Sequence, residues 1–200
     1  AAAEMKERIA ALLPDEADDI WIKTFHSCCV RILRRDIEAI GYKSSFTIYD
    51  TQDQKRVIKE AIKSCDLNED NFPIKSVLSV ISNCKNKDID TEEFAAASET
   101  NYRDKQYARL YKVYEKTLKA NNALDFDDLI LKTVYLFKSH PEVLEYYQNK
   151  FKYILIDEYQ DTNGCQFKLV EMLARKNRNL CVVGDDDQSI YKFRGADIGN

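Results

Sequence analysis

The sequence predicts an α/β protein: part of a parallel sheet, interrupted by a large all-helical insertion. Two apolar runs near the C-terminal end, residues 153–156 and 180–183, have the length and continuous apolarity of buried parallel strands. A helix-length segment through Phe167, Val170 and Leu173 separates them, which reads as a right-handed parallel crossover. A third apolar run, residues 20–25, lies near the start, and from about His26 to Lys150 the apolar spacing is helical. The expected organisation is therefore a sheet-bearing core from residues 1–25 and 151–200, with residues 26–150 as the inserted helical subdomain.

In chain order, Ala1-Ala2-Ala3-Glu4-Met5 reads as the middle of a helix, without an initiator Met, so the chain is expected to be cut from something longer. After the expected strand at 20–25 the period changes. Val30, Leu33, Ile37 and Ile40 fall on one helical face, Arg31, Arg34 and Arg35 on the rest, and Gly41 is a plausible terminator. Asp50 and Asp53 can cap a helix carrying Val57, Ile58, Ala61 and Ile62; Ile74, Val77, Leu78 and Ile81 mark another after Pro73. Tyr107, Leu110, Tyr114 and Leu118 mark a longer helix. Asp125 can cap the next, with Phe126, Leu129, Ile130, Val134 and Phe137 turned inward, and Pro141 suits the first turn of one more. Residues 66–72 and 85–91 are the expected exposed loops.

Composition narrows the class. Two hundred residues suffice for one core, or for one core with a second small helical lobe. No apolar run is long enough for a membrane span and no signal peptide is visible. The six cysteines show no Cys-x-x-Cys spacing, so zinc is not expected; they read as reduced core thiols in a cytoplasmic protein. A net charge of −4 does not advertise nucleic acid, although a local groove can still be basic.

Chemistry concentrates at two strand tips. Ile154-Leu155-Ile156 ends in Asp157-Glu158, and Cys181-Val182-Val183 ends in Gly184-Asp185, followed by Gln188 and then Tyr191. Ligands of open α/β sheets collect at the carboxyl ends of strands, so both tips should face one crevice. Mg²⁺ takes one or two carboxylates and keeps water and phosphate oxygens for the rest. Asp157 suits that metal and Glu158 suits the activation of an attacking water. The plainer reading is that acidic residues end a strand and cap the next helix. For Tyr191 and Phe193 the plainer reading is core packing, for His26 a hydrogen-bonded helix-start residue, and for Asp125, Asp127 and Asp128 helix capping instead of a second metal site.

The extended strings carry a resemblance. Leu155-Ile156-Asp157-Glu158-Tyr159-Gln160-Asp161-Thr162 resembles motif II of the UvrD/PcrA/Rep family of superfamily 1 DNA helicases, and Val183-Gly184-Asp185-Asp186-Asp187-Gln188-Ser189-Ile190-Tyr191-Lys192-Phe193-Arg194-Gly195-Ala196 is similar to its motif III. Thr24-Phe25-His26-Ser27 resembles motif Ib, and Leu124-Asp125-Phe126-Asp127-Asp128-Leu129 a segment of the inserted subdomain. The resemblance implies a RecA-like P-loop NTPase core and an ATP-dependent 3′→5′ DNA helicase. It implies Asp157 on Mg²⁺, Glu158 activating water, Gln188 sensing the γ-phosphate of ATP, Tyr191 and Phe193 stacking on bases, and Thr24, His26 and Arg194 contacting the strand. Phe193 stands where the family often has Trp, which keeps a π face. Implied partners are single-stranded DNA, duplex junctions, and proteins of DNA repair or replication, with no membrane.

No Gly-x-x-x-x-Gly-Lys-Ser/Thr occurs, and Gly41-Tyr42-Lys43-Ser44 lacks the required spacing. The resemblance places that loop upstream of Ala1 and a second motor domain beyond Asn200, so this polypeptide alone is expected neither to hydrolyse ATP nor to unwind DNA. Two other classes remain open from sequence: a nucleic-acid-binding scaffold without motor activity, and a metal-dependent phosphohydrolase using Asp157, Asp161 and Asp185 to Asp187.

Overall fold

The structure, a computed structural model, describes residues 2–14 and 19–185. In order it contains α1 (Ala2–Leu12), α2 (Phe25–Asp36), a 3₁₀ turn (Ile37–Ile40), β1 (Thr47–Ile48), α3 (Thr51–Ser64), α4 (Ile74–Asn86) and α5 (Thr91–Ala97). Then come α6 (Tyr102–Ala120), β2 (Ala123–Leu124), α7 (Phe126–Ser139), α8 (Pro141–Lys150), β3 (Ile154–Ile156), a 3₁₀ turn (Tyr159–Asp161), α9 (Gly164–Ala174) and β4 (Leu180–Val182). The strands make two separate parallel pairs, β1 with β2 and β3 with β4.

Local chemistry sets most helix starts. Asp50 accepts from the Gln52 and Asp53 amides while the Asp53 carboxylate accepts from the Asp50 amide, a reciprocal cap on α3. Asp125 and Asp128 cap α7 in the same way, and Asn163 and Gln166 cap α9. Pro141 opens α8, where its missing N–H costs nothing. At the end of the first 3₁₀ turn, Gly41 takes φ +74°, a left-handed conformation that favours glycine.

Packing divides into two hydrophobic clusters. The first joins Ile32 and Leu33 of α2, Val134 and Phe137 of α7, Tyr147 of α8, and Leu169 and Leu173 of α9. The second joins Val57 and Ile58 of α3, Val77 and Ile81 of α4, and Leu110, Tyr111 and Tyr114 of α6. β2 lies between them: successive strand residues point to opposite faces, so Ala123 enters the second cluster and Leu124 the first. The first cluster thus draws on residues from both sides of position 150.

Several expectations are corrected. No strand forms at 20–25; Phe25 opens α2, whose first turn Thr24 caps by accepting from the Ser27 amide. The expected all-helical stretch contains the β1–β2 pair. The loop expected at 85–91 is confined to residues 87–90: Lys85 and Asn86 end α4, Lys85 is buried, and Thr91 opens α5. The two strands expected to be buried pair in parallel but are not buried among the described residues: Leu155 of β3 and all of β4 are exposed, Cys181 included, unlike Cys29, Cys65, Cys84 and Cys165. Among the described residues no helix is long and apolar enough to cross a membrane.

Candidate functional site

β3 and β4 pair in parallel, with Ile154, Leu155 and Ile156 opposite Leu180, Cys181 and Val182. The pairing runs on past both strands: the Val183 amide donates to the Ile156 carbonyl at 2.8 Å, and the Tyr159 amide to the Val183 carbonyl at 2.9 Å. Asp157-Glu158 therefore lies beside Gly184-Asp185 at one end of the sheet, both carboxylates exposed. Gln160 staples the two tips. Its Nε2 donates to Glu158 Oε2 at 2.7 Å, and its Oε1 accepts from the Asp185 amide at 3.0 Å. A Cβ on Gly184 would fall 2.7 Å from that same Oε1, so any larger residue would have to displace the Gln160 amide from its place between the tips. Glu158 itself sits at φ 54°, ψ 42°, a left-handed conformation that costs about 1–2 kcal/mol in a non-glycine residue. Gln160 and the following 3₁₀ turn hold it there. Gln188, Tyr191, Phe193 and Arg194 lie outside the described residues; Gln188 follows Asp185 by three positions.

A second feature adjoins these tips. Thr24 caps α2, accepting from the Ser27 amide at 3.2 Å, and His26 follows in the first turn. The His26 ring stacks on Phe126, with centroids 3.9 Å apart and planes 23° from parallel. Phe126, expected inward, is 54% exposed. The 3.6-residue period places it above Ile130 and Val134, but as the first residue after the Asp125 cap it overhangs the core edge. Sequence reading missed it as a site residue, and its place directly after a cap was the available signal.

The two rings border a cleft of about 520 Å³. α4 contributes Ser79, Ser82, Asn83 and Asn86; α7 contributes Asp127; the segment after β3 contributes Asp161, Asn163 and Gln166. Asn163 Nδ2 donates to Asn86 Oδ1 at 2.7 Å, tying the start of α9 to α4. Oδ1 of Asp161 is buried and has no hydrogen-bond partner among the described residues. Burial lowers the His26 pKa, favouring the neutral ring, and burial together with Asp125 raises that of Asp127. The structure thus brings His26 to the segment immediately after Asp157-Glu158. Among the described residues no group of three His, Cys, Asp or Glu side chains is arranged to hold a metal ion.

Behind the cleft lies a buried ion cluster. Lys85 Nζ sits 2.7 Å from Glu115 Oε1, 2.7 Å from Asp125 Oδ2 and 2.9 Å from Asp128 Oδ1, and Lys132 Nζ lies 3.0 Å from Glu115 Oε2. The Tyr114 hydroxyl donates to Asp125 at 2.9 Å. Burial alone would lower the Lys85 pKa, but the three carboxylates hold it well above the ordinary lysine value. Burial, and then the charge of Asp125, push Asp128 up to about 7; against burial, Lys85 and Lys132 pull Glu115 down to about 2. Asp125 and Asp128 do cap α7 as expected, and they also anchor its first turn, where Phe126 projects, to α4.

The chain matches the family model described as UvrD/REP helicase N-terminal domain over residues 1–200. It is 54% identical over its whole length to proteins named ATP-dependent DNA helicase PcrA from Staphylococcus aureus (strain Mu50 / ATCC 700699) and Bacillus subtilis (strain 168). The protein of that name from Staphylococcus epidermidis is 53% identical over the same span. In each case the chain covers 27% of the relative's length.

Proposed function

This chain belongs to the UvrD/REP helicase N-terminal domain family, and we propose that it forms part of the first motor domain of an ATP-dependent DNA helicase moving 3′→5′ on single-stranded DNA. In this reading residues 26–150 are the inserted helical part, and 1–25 and 151–200 belong to the RecA-like core. The observation that carries it is the juxtaposition of Asp157-Glu158 with Gly184-Asp185 at one sheet end, stapled by Gln160. A nucleotide-dependent motor requires its metal-side carboxylate and its phosphate sensor at such adjoining tips.

The exposed carboxylate oxygens at the β3 tip are hard donors that suit Mg²⁺, with Asp157 as the protein's ligand. Bound to ATP, Mg²⁺ would neutralise phosphate charge. Gln160 donates to Glu158 Oε2, and Glu158 would accept a proton from the attacking water. Gln188 would contact the γ-phosphate, and Tyr191, Phe193, Arg194, Thr24 and His26 would line the strand path. Because Gln188 lies three residues before Tyr191, a shift at the phosphate would pass directly to the base-stacking platform. The stacked His26–Phe126 pair supports a strand path on this side of the sheet, since aromatic faces accept any base.

Glu158→Gln in the intact protein tests the reading. Strand-stimulated ATP hydrolysis should fall by about 10²-fold or more, with single-strand binding retained. Hydrolysis at the unsubstituted rate would overturn the assignment. The same polypeptide confined to residues 1–200 should show no strand-stimulated hydrolysis.

A further inference from the structure

We infer that Asn86, the last residue of α4, is a positioning residue: it links the segment after the Asp157-Glu158 tip to the helix turn that carries Phe126, so that bound nucleotide sets strand affinity partly through this side chain; this rests on the motor reading above. Three side chains make the link. Asn163 caps α9, two positions past Asp161, and its Nδ2 donates to Asn86 Oδ1 at 2.7 Å. Asn86 Nδ2 donates to the Ser82 carbonyl at 2.9 Å, one turn back on α4, and to Asp127 Oδ1 at 3.4 Å. Asp127 follows Phe126 directly in the first turn of α7. The Asn86 amide thus turns its acceptor to α9 and its donor to α7, a division that a carboxylate, which only accepts, cannot reproduce.

Both ends of the link are stiff. From Glu158 to Asn163 the chain makes a single 3₁₀ turn, closed by the Asp161 amide on the Glu158 carbonyl at 3.0 Å and the Thr162 amide on the Tyr159 carbonyl at 3.1 Å. A shift of the Glu158 backbone on nucleotide binding therefore reaches Asn163 with little slack. At the far end, Lys85 pairs with Asp125 and Asp128, the residues flanking Phe126 and Asp127, while Cys165 Sγ of α9 donates to the Lys85 carbonyl at 3.0 Å. The last turn of α4 therefore grips the start of α9 and the start of α7 together. α7 and α9 also meet in the first hydrophobic cluster, but apolar packing is non-directional, whereas the amide bonds fix how the two helix starts are turned toward each other.

The test measures single-strand affinity of the intact protein by fluorescence anisotropy, once with Mg²⁺ and ADP and once with Mg²⁺ and adenylyl imidodiphosphate, and takes the ratio. Asn86→Ala should bring that ratio about three- to tenfold closer to one, the worth of one hydrogen bond. Asn163→Asp keeps a capping acceptor on α9 and loses the donor to Asn86, so it should act equally, and the double variant no further. A merely structural part for Asn86 would lower Tm and leave the ratio untouched. Should Asn86→Ala fail to fold, Asn163→Asp decides. An unchanged ratio in either folded variant, or additive losses, overturns the inference and leaves the motor reading standing. Equal strand affinity of the unsubstituted protein with the two nucleotides overturns both.

Discussion

Replacing Lys85 by methionine removes the cation shared by three acidic side chains while keeping most of the aliphatic stem. Nζ lies within 2.9 Å of Glu115, Asp125 and Asp128, and the Lys85 side chain has no exposed surface. Leaving such partners buried and unpaired costs about 3–5 kcal/mol. Lys132 offsets only part of this: it stays 3.0 Å from Glu115 but 3.7 Å from Asp128. For a domain of this size each kcal/mol moves the midpoint by about 2–4 °C, so Tm should drop by about 6–20 °C. Thermal and urea unfolding of the 200-residue chain, followed by far-ultraviolet circular dichroism, reads the loss. The deficit should shrink on acidification, as the stranded carboxylates protonate, and Asp128→Asn in the same chain should restore part of it. A Tm within about 2 °C of the unsubstituted protein would refute the account of the cluster as a charge-balanced anchor.

The remaining predictions concern pH and the strand tips. Asp128 has a native pKa of about 7, above the ordinary carboxylate value of about 3.9, so the folded state binds the extra proton between those limits. Its contribution is therefore full in acid and lost as pH rises through 7. The stability difference between the unsubstituted chain and Asp128→Asn, measured by urea unfolding, should grow in favour of the unsubstituted chain from pH 7 to pH 5; a constant difference would contradict the shift. Gly184→Ala drives a Cβ to 2.7 Å from Gln160 Oε1 and should break the staple between the tips, lowering ATP hydrolysis by the intact protein roughly tenfold. Gln160→Ala should lower it similarly, and the double variant no further; additive losses would show that the two residues act separately.

Helix starts were legible because their causes are local. Asp50 with Asp53, Asp125 with Asp128, and Pro141 act within one turn of the amides they serve, so pattern and outcome coincide. The ends of β3 and β4 were legible for a related reason: each apolar run gives way within three residues to an acidic side chain, Asp157 after β3 and Asp185 after β4. The strand expected at 20–25 failed because alternating apolar residues are too few there to outweigh the cap that Thr24 gives α2. Residues 85–91 read as a loop on the strength of their lysines and aspartates, yet the carboxylates that bury Lys85 come from residues 115, 125 and 128.

Sequence by itself therefore determined the helical periods, the caps, the two acidic strand ends and the family the chain joins. Tertiary structure alone decided that Lys85 is buried, that Phe126 leaves the core to stack on His26, and that Asp161 borders a cleft facing α4. Each of these depends on side chains at least 30 positions apart, whose meeting is fixed by how α2, α4, α7 and the β3 turn pack, and no period or short motif encodes that packing.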